Sequence, residues 1–140
     1  MSAQVSETIK VPAGKVWEAL VTPSIIKQYF FGTDTETDWK VGSPVKFSGE
    51  WQGKTYRDKG TVLANEPGKK LQYTYWSSMS GIEDKPENYV TVTYELTENN
   101  DYTIVTISQD NIPSAEMKEH SAANWSKVLK SLKDLLELGK

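Results

Sequence analysis

Apolar side chains at the start of the chain recur at every second position. Val5, Ile9 and Val11 alternate with Gln4, Ser6, Thr8 and Lys10. That period predicts a half-buried strand, since successive strand side chains point to opposite faces. Glu7 falls on the apolar side of this pattern. Pro12, which has no N–H to give a ladder, is predicted to end the strand. The spacing then turns helical, with Val16, Trp17, Leu20 and Val21 on one face. Thr22-Pro23 marks a second start, Thr22 as N-cap and Pro23 at the first helical position. The short helix that follows carries Ile25, Ile26, Tyr29, Phe30 and Phe31 and is stopped by Gly32.

From Val45 to Ile107 the period returns to two. Val45, Phe47, Gly49 and Trp51 form one face of a strand, and Gln52-Gly53-Lys54 is a hairpin connection. Tyr56, Asp58, Gly60, Val62 and Ala64 form a face of the next. After a turn at Glu66-Pro67-Gly68-Lys69, Leu71, Tyr73 and Tyr75 share one face. Residues 77–87 are a polar loop with Gly81 and Pro86. Val90, Val92, Tyr94 and Leu96 alternate with polar residues, Asn99-Asn100-Asp101 is a hairpin turn, and Val105 and Ile107 lie on a last strand. Beyond Pro113 the period is helical again. Ser114 is the predicted N-cap, Trp125, Val128, Leu129, Leu132 and Leu136 form the apolar stripe, and Gly139 ends the helix.

This order predicts an α+β fold in a single domain over residues 1–140. A curved antiparallel sheet of about six strands wraps on one long C-terminal helix, with two short helices after the first strand. A meander of strands leaves one apolar face to be covered, and the terminal helix is the element long enough to cover it. The inward strand positions are rich in aromatic residues next to small ones such as Gly49 and Gly60. That arrangement encloses a pocket between sheet and helix.

Composition narrows the chemistry. The 140 residues contain no cysteine, one histidine (His120) and one arginine (Arg57), with a formal net charge of −3. Thiol nucleophiles, thiolate metal sites and sites built from several imidazoles are excluded, and no metal or cofactor is expected. Nucleic-acid binding is not expected either, because it draws on clustered basic charge and bidentate guanidinium groups. Met1 to Val5 lack the pattern of a secretory leader, and no run approaches the roughly 20 apolar residues of a spanning helix. The expectation is a cytoplasmic protein with no membrane insertion. Five Trp, seven Tyr and three Phe are the surplus to be explained.

The stretch Val11-Pro12-Ala13-Gly14-Lys15-Val16-Trp17-Glu18-Ala19-Leu20 resembles the opening of the START-like (SRPBCC) helix-grip superfamily. Gln28-Tyr29-Phe30-Phe31-Gly32, Asp38-Trp39-Lys40-Val41-Gly42, Gly60-Thr61-Val62-Leu63 and His120-Ser121, with Asn124-Trp125, resemble stand-alone bacterial members of the activator-of-heat-shock-protein-ATPase (AHSA-like) family. The resemblance runs from about residue 3 to 138. It implies a sheet gripping a C-terminal helix around a hydrophobic cavity, with two small helices near the mouth. It also implies binding of a small apolar, aromatic or lipid-like molecule. The superfamily contains aromatases, cyclases and hydrolase-like proteins too, so an enzyme using the same cavity is the alternative. A chaperone-interaction module, with its link to the stress response, ranks third, because the chain opens directly on the first strand where the eukaryotic co-chaperone carries a chaperone-binding domain.

The candidate ligand-binding residues are Phe30, Phe47, Trp51, Asp58, Tyr73, Tyr75, Val92, Tyr94, His120 and Trp125. Flat ligands pack against such rings in offset or edge-to-face geometry, and tyrosine hydroxyls need partners that a pocket supplies. Inward carboxylates are costly unless paired or at a cavity mouth, so Asp58 and Glu7 either anchor a polar group or lie at a strand end in water. His120 is the candidate acid or base of the enzymatic reading, against a plain role as a helix surface residue. Ser121, adjacent to it, completes no triad. Binding is therefore favoured over catalysis, in a monomer or weak dimer, and no residue is assigned as catalytic.

Overall fold

The structure, a computed structural model, describes residues 2–30, 32–51, 53–77, 82–112 and 114–138. Phe31, Gln52, Gly81, Pro113 and Gly139 lie outside the described residues, as does the side chain of Trp51.

Strand β1 (Ala3–Ile9) leads into helices α1 (Ala13–Val21) and α2 (Pro23–Tyr29). Strands β2 (Asp34–Glu36), β3 (Pro44–Trp51), β4 (Lys54–Glu66), β5 (Lys70–Tyr75), β6 (Val90–Glu98) and β7 (Thr103–Asp110) follow, with a 3-10 turn at Pro86–Asn88 before β6. Helix α3 (Ala115–Leu138) comes last. The seven strands form one sheet in the order β1-β7-β6-β5-β4-β3-β2, each antiparallel to its neighbours. The fold is the helix-grip of the sequence reading, with β2 as a short additional edge strand. Its sequence, Asp-Thr-Glu, has no apolar alternation, so hydrophobic period gives no sign of it. It is held by pairing with Lys46, Phe47 and Ser48 of β3.

The starts of the three helices show how their ends are satisfied. Ser114 caps α3 as predicted, its Oγ accepting from the Met117 N–H at 3.2 Å. No side-chain cap bond from Thr22 is made at α2, which starts on Pro23 alone. At α1 the cap comes from across the fold: the Ala13 N–H donates to Glu98 Oε2 at 2.9 Å, satisfying one of the orphan amides of a helix start.

The C-terminal half of α3 is docked on β1. Val128, Leu129 and Leu132 are buried against the same core as Ile9, Val105 and Ile107, and each such side chain contributes about 1.5–3 kcal/mol by leaving water. Lys133 Nζ reaches Glu7 Oε1 at 3.4 Å, and the Lys10 N–H donates to Glu137 Oε2 at 2.9 Å. Glu7 thus lies on the inner side of β1, half-buried and paired with the helix.

Gly60 decides the shape of the sheet. A Cβ there would lie 1.6 Å from the Thr74 carbonyl oxygen of β5. Only a residue without a side chain allows the two backbones to approach so closely. On one side of it Val62 pairs with Tyr73, and the register shifts between Val62 and Ala64. On the other, Lys59 and Trp76 form an isolated bridge. Trp39 makes a second unusual backbone feature, with φ of 62°. Its indole N–H donates to the Val21 carbonyl at 2.8 Å, and its own carbonyl accepts from Asn65 Nδ2 at 2.8 Å. These bonds fix a conformation that a bulky residue rarely adopts.

Candidate functional site

The inward faces of β3, β4, β5 and β6 carry the rings of Phe47, Tyr56, Tyr73, Tyr75 and Tyr94, but the space above them is filled at one end and open at the other. At the filled end, Tyr73 and Tyr94 are buried and their hydroxyls bond each other at 3.1 Å. Tyr73 packs against Trp39 and Phe47, with ring centroids 6.4 and 5.6 Å apart. Val92, opposite Tyr73 in the β5–β6 ladder, is fully buried in the same layer. Burial pushes the phenols of Tyr73 and Tyr94 up from their ordinary value, because the charged form cannot be solvated there.

At the other end the N-terminal half of α3 stands away from β4 and β5, leaving a cavity of about 520 Å³. Its sheet wall is Phe47, Tyr56, Asp58 and Tyr75, and Phe30 and Thr33 close it from the end of α2. Its helix wall is Met117, His120, Ser121, Asn124, Trp125 and Lys127, with Val128 at the floor. Trp76, Ile82 and Asn88 border it on the loop side. The rings meet edge to face: Phe30 and Trp125 lie 5.6 Å apart at 79°, and Trp125 and Tyr94 5.9 Å apart at 85°. Phe47 stands between the two ends, touching Tyr73 on one side and Tyr75 on the other.

The polar groups of the wall are arranged in pairs. The Tyr75 hydroxyl donates to Asp58 Oδ2. Burial, and then the charge of Asp58, push the Tyr75 phenol well above its ordinary range, so it remains a proton donor to the carboxylate. Asp58 is 7% exposed, a buried carboxylate facing aromatic surface. Thr33 and Tyr56 bond each other through their hydroxyls at 2.6 Å. On the far wall the Trp125 indole N–H donates to Gln109 Oε1 at 2.7 Å, which fixes the ring in its T-shaped contacts.

Six of the residues singled out from the sequence meet in this cavity: Phe30, Phe47, Asp58, Tyr75, His120 and Trp125. Tyr73, Val92 and Tyr94 do not line it; they belong to the packed core beside it, where Trp39 and Phe47 lie against Tyr73, and Tyr94 lies between Tyr73 and Trp125. The Trp51 side chain lies outside the described residues, and Glu7 pairs with Lys133 at β1, away from the cavity. Several wall residues went unsingled. Tyr56 shares its strand face with Asp58 two positions on, and Gln109 continues the inward face of Val105 and Ile107 on β7. Met117, Ser121, Asn124 and Lys127 recur at helical spacing, a signal hidden by their polarity. Among the described residues no group of three or more His, Cys, Asp or Glu side chains is placed to hold a metal ion. No described helix is long and apolar enough to cross a membrane.

The profile of the family described as Activator of Hsp90 ATPase homolog 1-like protein matches residues 10–137. The chain belongs to this family. The AHSA1-like chain is also similar to the solution structure of ChR145 from Cytophaga hutchinsonii, at 45% identity over 99% of this chain and 95% of that one, with a TM-score of 0.85. It shares its fold with the Aha1 dimer of Colwellia psychrerythraea, at 23% identity, TM-score 0.80, covering 100% of this chain and 98% of that one. It shares it as well with DynU16, a protein of the dynemicin biosynthetic locus, at 20% identity and TM-score 0.81, covering 99% of this chain and 48% of the other. No curated protein matches the chain.

Proposed function

We propose that this AHSA1-like protein binds a small apolar molecule, aromatic or lipid-like, in the cavity between the sheet and α3. The observation that carries the reading is the cavity itself: about 520 Å³, within the size range of small-molecule sites, walled by Phe30, Phe47, Tyr75 and Trp125 around a buried carboxylate. The ligand contacts we assign are those four rings with Asp58 and His120. The proposal places the protein in the cytoplasm, as a monomer or weak dimer.

Titration with a panel of flavonoids, aromatic polyketides and fatty acids, followed by amide chemical shifts and tryptophan fluorescence, tests it. A saturable response at Phe30, Phe47, Asp58 and Trp125 is expected from at least one class. No saturable response from any of them would reject the reading. The Asp58–Tyr75 bond is the observation that favours a second reading, acid–base chemistry on a ligand held there. Turnover of a bound compound, lost in Asp58→Asn, distinguishes it from binding alone. A chaperone role rests on the family's name and has no feature of this cavity behind it.

A further inference from the structure

The cavity wall narrows the polar chemistry of a ligand held there. We infer that the cavity selects a flat aromatic molecule bearing a hydroxyl that donates to Asp58, and refuses one whose polar group at that end is a carboxylate. This rests on the cavity being the binding site.

Asp58 is the carboxylate of the cavity wall, 7% exposed and directly opposite Phe47 in the β3–β4 ladder. An ionised carboxylate accepts and does not donate, and its two oxygens together can take about four hydrogen bonds, that of the Tyr75 hydroxyl among them. Tyr75 is the protein's own example of the interaction: a phenol, set between aromatic neighbours, giving its hydrogen to Asp58. A ligand phenol beside it repeats that geometry with the same atoms. A ligand carboxylate there brings two like charges together in surroundings where water screens them poorly. A ligand without a donor makes no hydrogen bond to Asp58. Phe47 and Tyr75, tilted at 56° with centroids 5.9 Å apart, and Phe30, stacked with Phe47 at 12° and 6.5 Å, present rigid aromatic surface suited to a flat ring body rather than to a flexible chain.

Three probes of one ring size isolate the polar group: 2-naphthol, its methyl ether and 2-naphthoate, titrated into the intact protein at neutral pH and followed by calorimetry and amide shifts. The naphthol is expected to bind at least fivefold more tightly than either of the others, with its largest shifts around Asp58 and Tyr75. In Asp58→Leu that preference is expected to disappear. A methyl ether or naphthoate bound within fivefold of the naphthol overturns the inference while leaving cavity binding standing. So does a preference that survives in Asp58→Leu. Should that variant not fold, the comparison of the three probes on the unaltered protein decides alone. No saturable response to any of the three overturns the inference, and the wider panel of flavonoids, polyketides and fatty acids then decides cavity binding by itself.

Discussion

Tyr73 and Tyr75 are two residues apart on the same face of β5, yet they belong to different kinds of interior. Tyr73 is covered by Trp39 and Phe47 and spends its hydroxyl on Tyr94. Tyr75 faces the hollow under α3 and gives its hydroxyl to Asp58. Residue type, strand and face are shared; what lies above each ring is not. The difference comes from the helix, whose C-terminal half is drawn onto β1 by Val128, Leu129 and Leu132 while its polar N-terminal half is not. The lesson is that an inward aromatic residue becomes core or cavity wall according to its cover, not its chemistry.

The strongest way to break this division is at Gly60, where β4 and β5 approach most closely, between the filled and hollow ends. Gly60→Val puts a side chain into the Thr74 carbonyl, and backbone atoms cannot step aside as a flexible side chain would. We expect a loss above about 4 kcal/mol, read as failure to fold or a collapsed midpoint in chemical denaturation. A loss under about 1 kcal/mol would mean that the close approach is not required.

A pair of substitutions sharpens the comparison. Leu71→Ala at the filled end is expected to cost about 2–5 kcal/mol of stability and to leave ligand affinity unchanged. Phe30→Leu at the hollow end is expected to cost under about 1.5 kcal/mol and to weaken an aromatic ligand by about 3–10-fold through lost ring contacts. Denaturation curves and ligand titrations on both proteins check this; equal effects on stability and binding in the two would erase the distinction.

The smallest effect concerns alkaline pH. The phenols of Tyr29, Tyr73, Tyr75 and Tyr94 are raised chiefly by burial. A tyrosine exposed in the unfolded chain loses its proton near the ordinary phenol value of about 10, while these remain protonated in the fold. Above that pH the unfolded state binds fewer protons than the folded one, so stability falls as pH rises. It should be level below about pH 9 and decline from about pH 10 upward. Ultraviolet difference titration should show these four hydroxyls ionising together with unfolding. Their ionisation in a still-folded protein would show that both interiors admit water.

Much of this was legible in the residues themselves. Period two along Val45–Ile107 and the helical stripe from Trp125 to Leu136 determined the strands, the covering helix and which rings point inward, because burial of apolar surface imposes the period of the backbone on the sequence. Gly60 and Asp58 stood out as exceptions on an inward face. Tertiary structure alone decided the rest. It held β2 by pairing where the sequence has no apolar alternation. It turned Glu7 into a partner of Lys133, packed Tyr73 against Trp39 and buried Val92 and Tyr94 in the same core, and brought Asp58 to Tyr75 and Trp125 to Gln109. These outcomes depend on distances between elements far apart in the chain, and a one-dimensional pattern records which way a side chain faces but not what it meets.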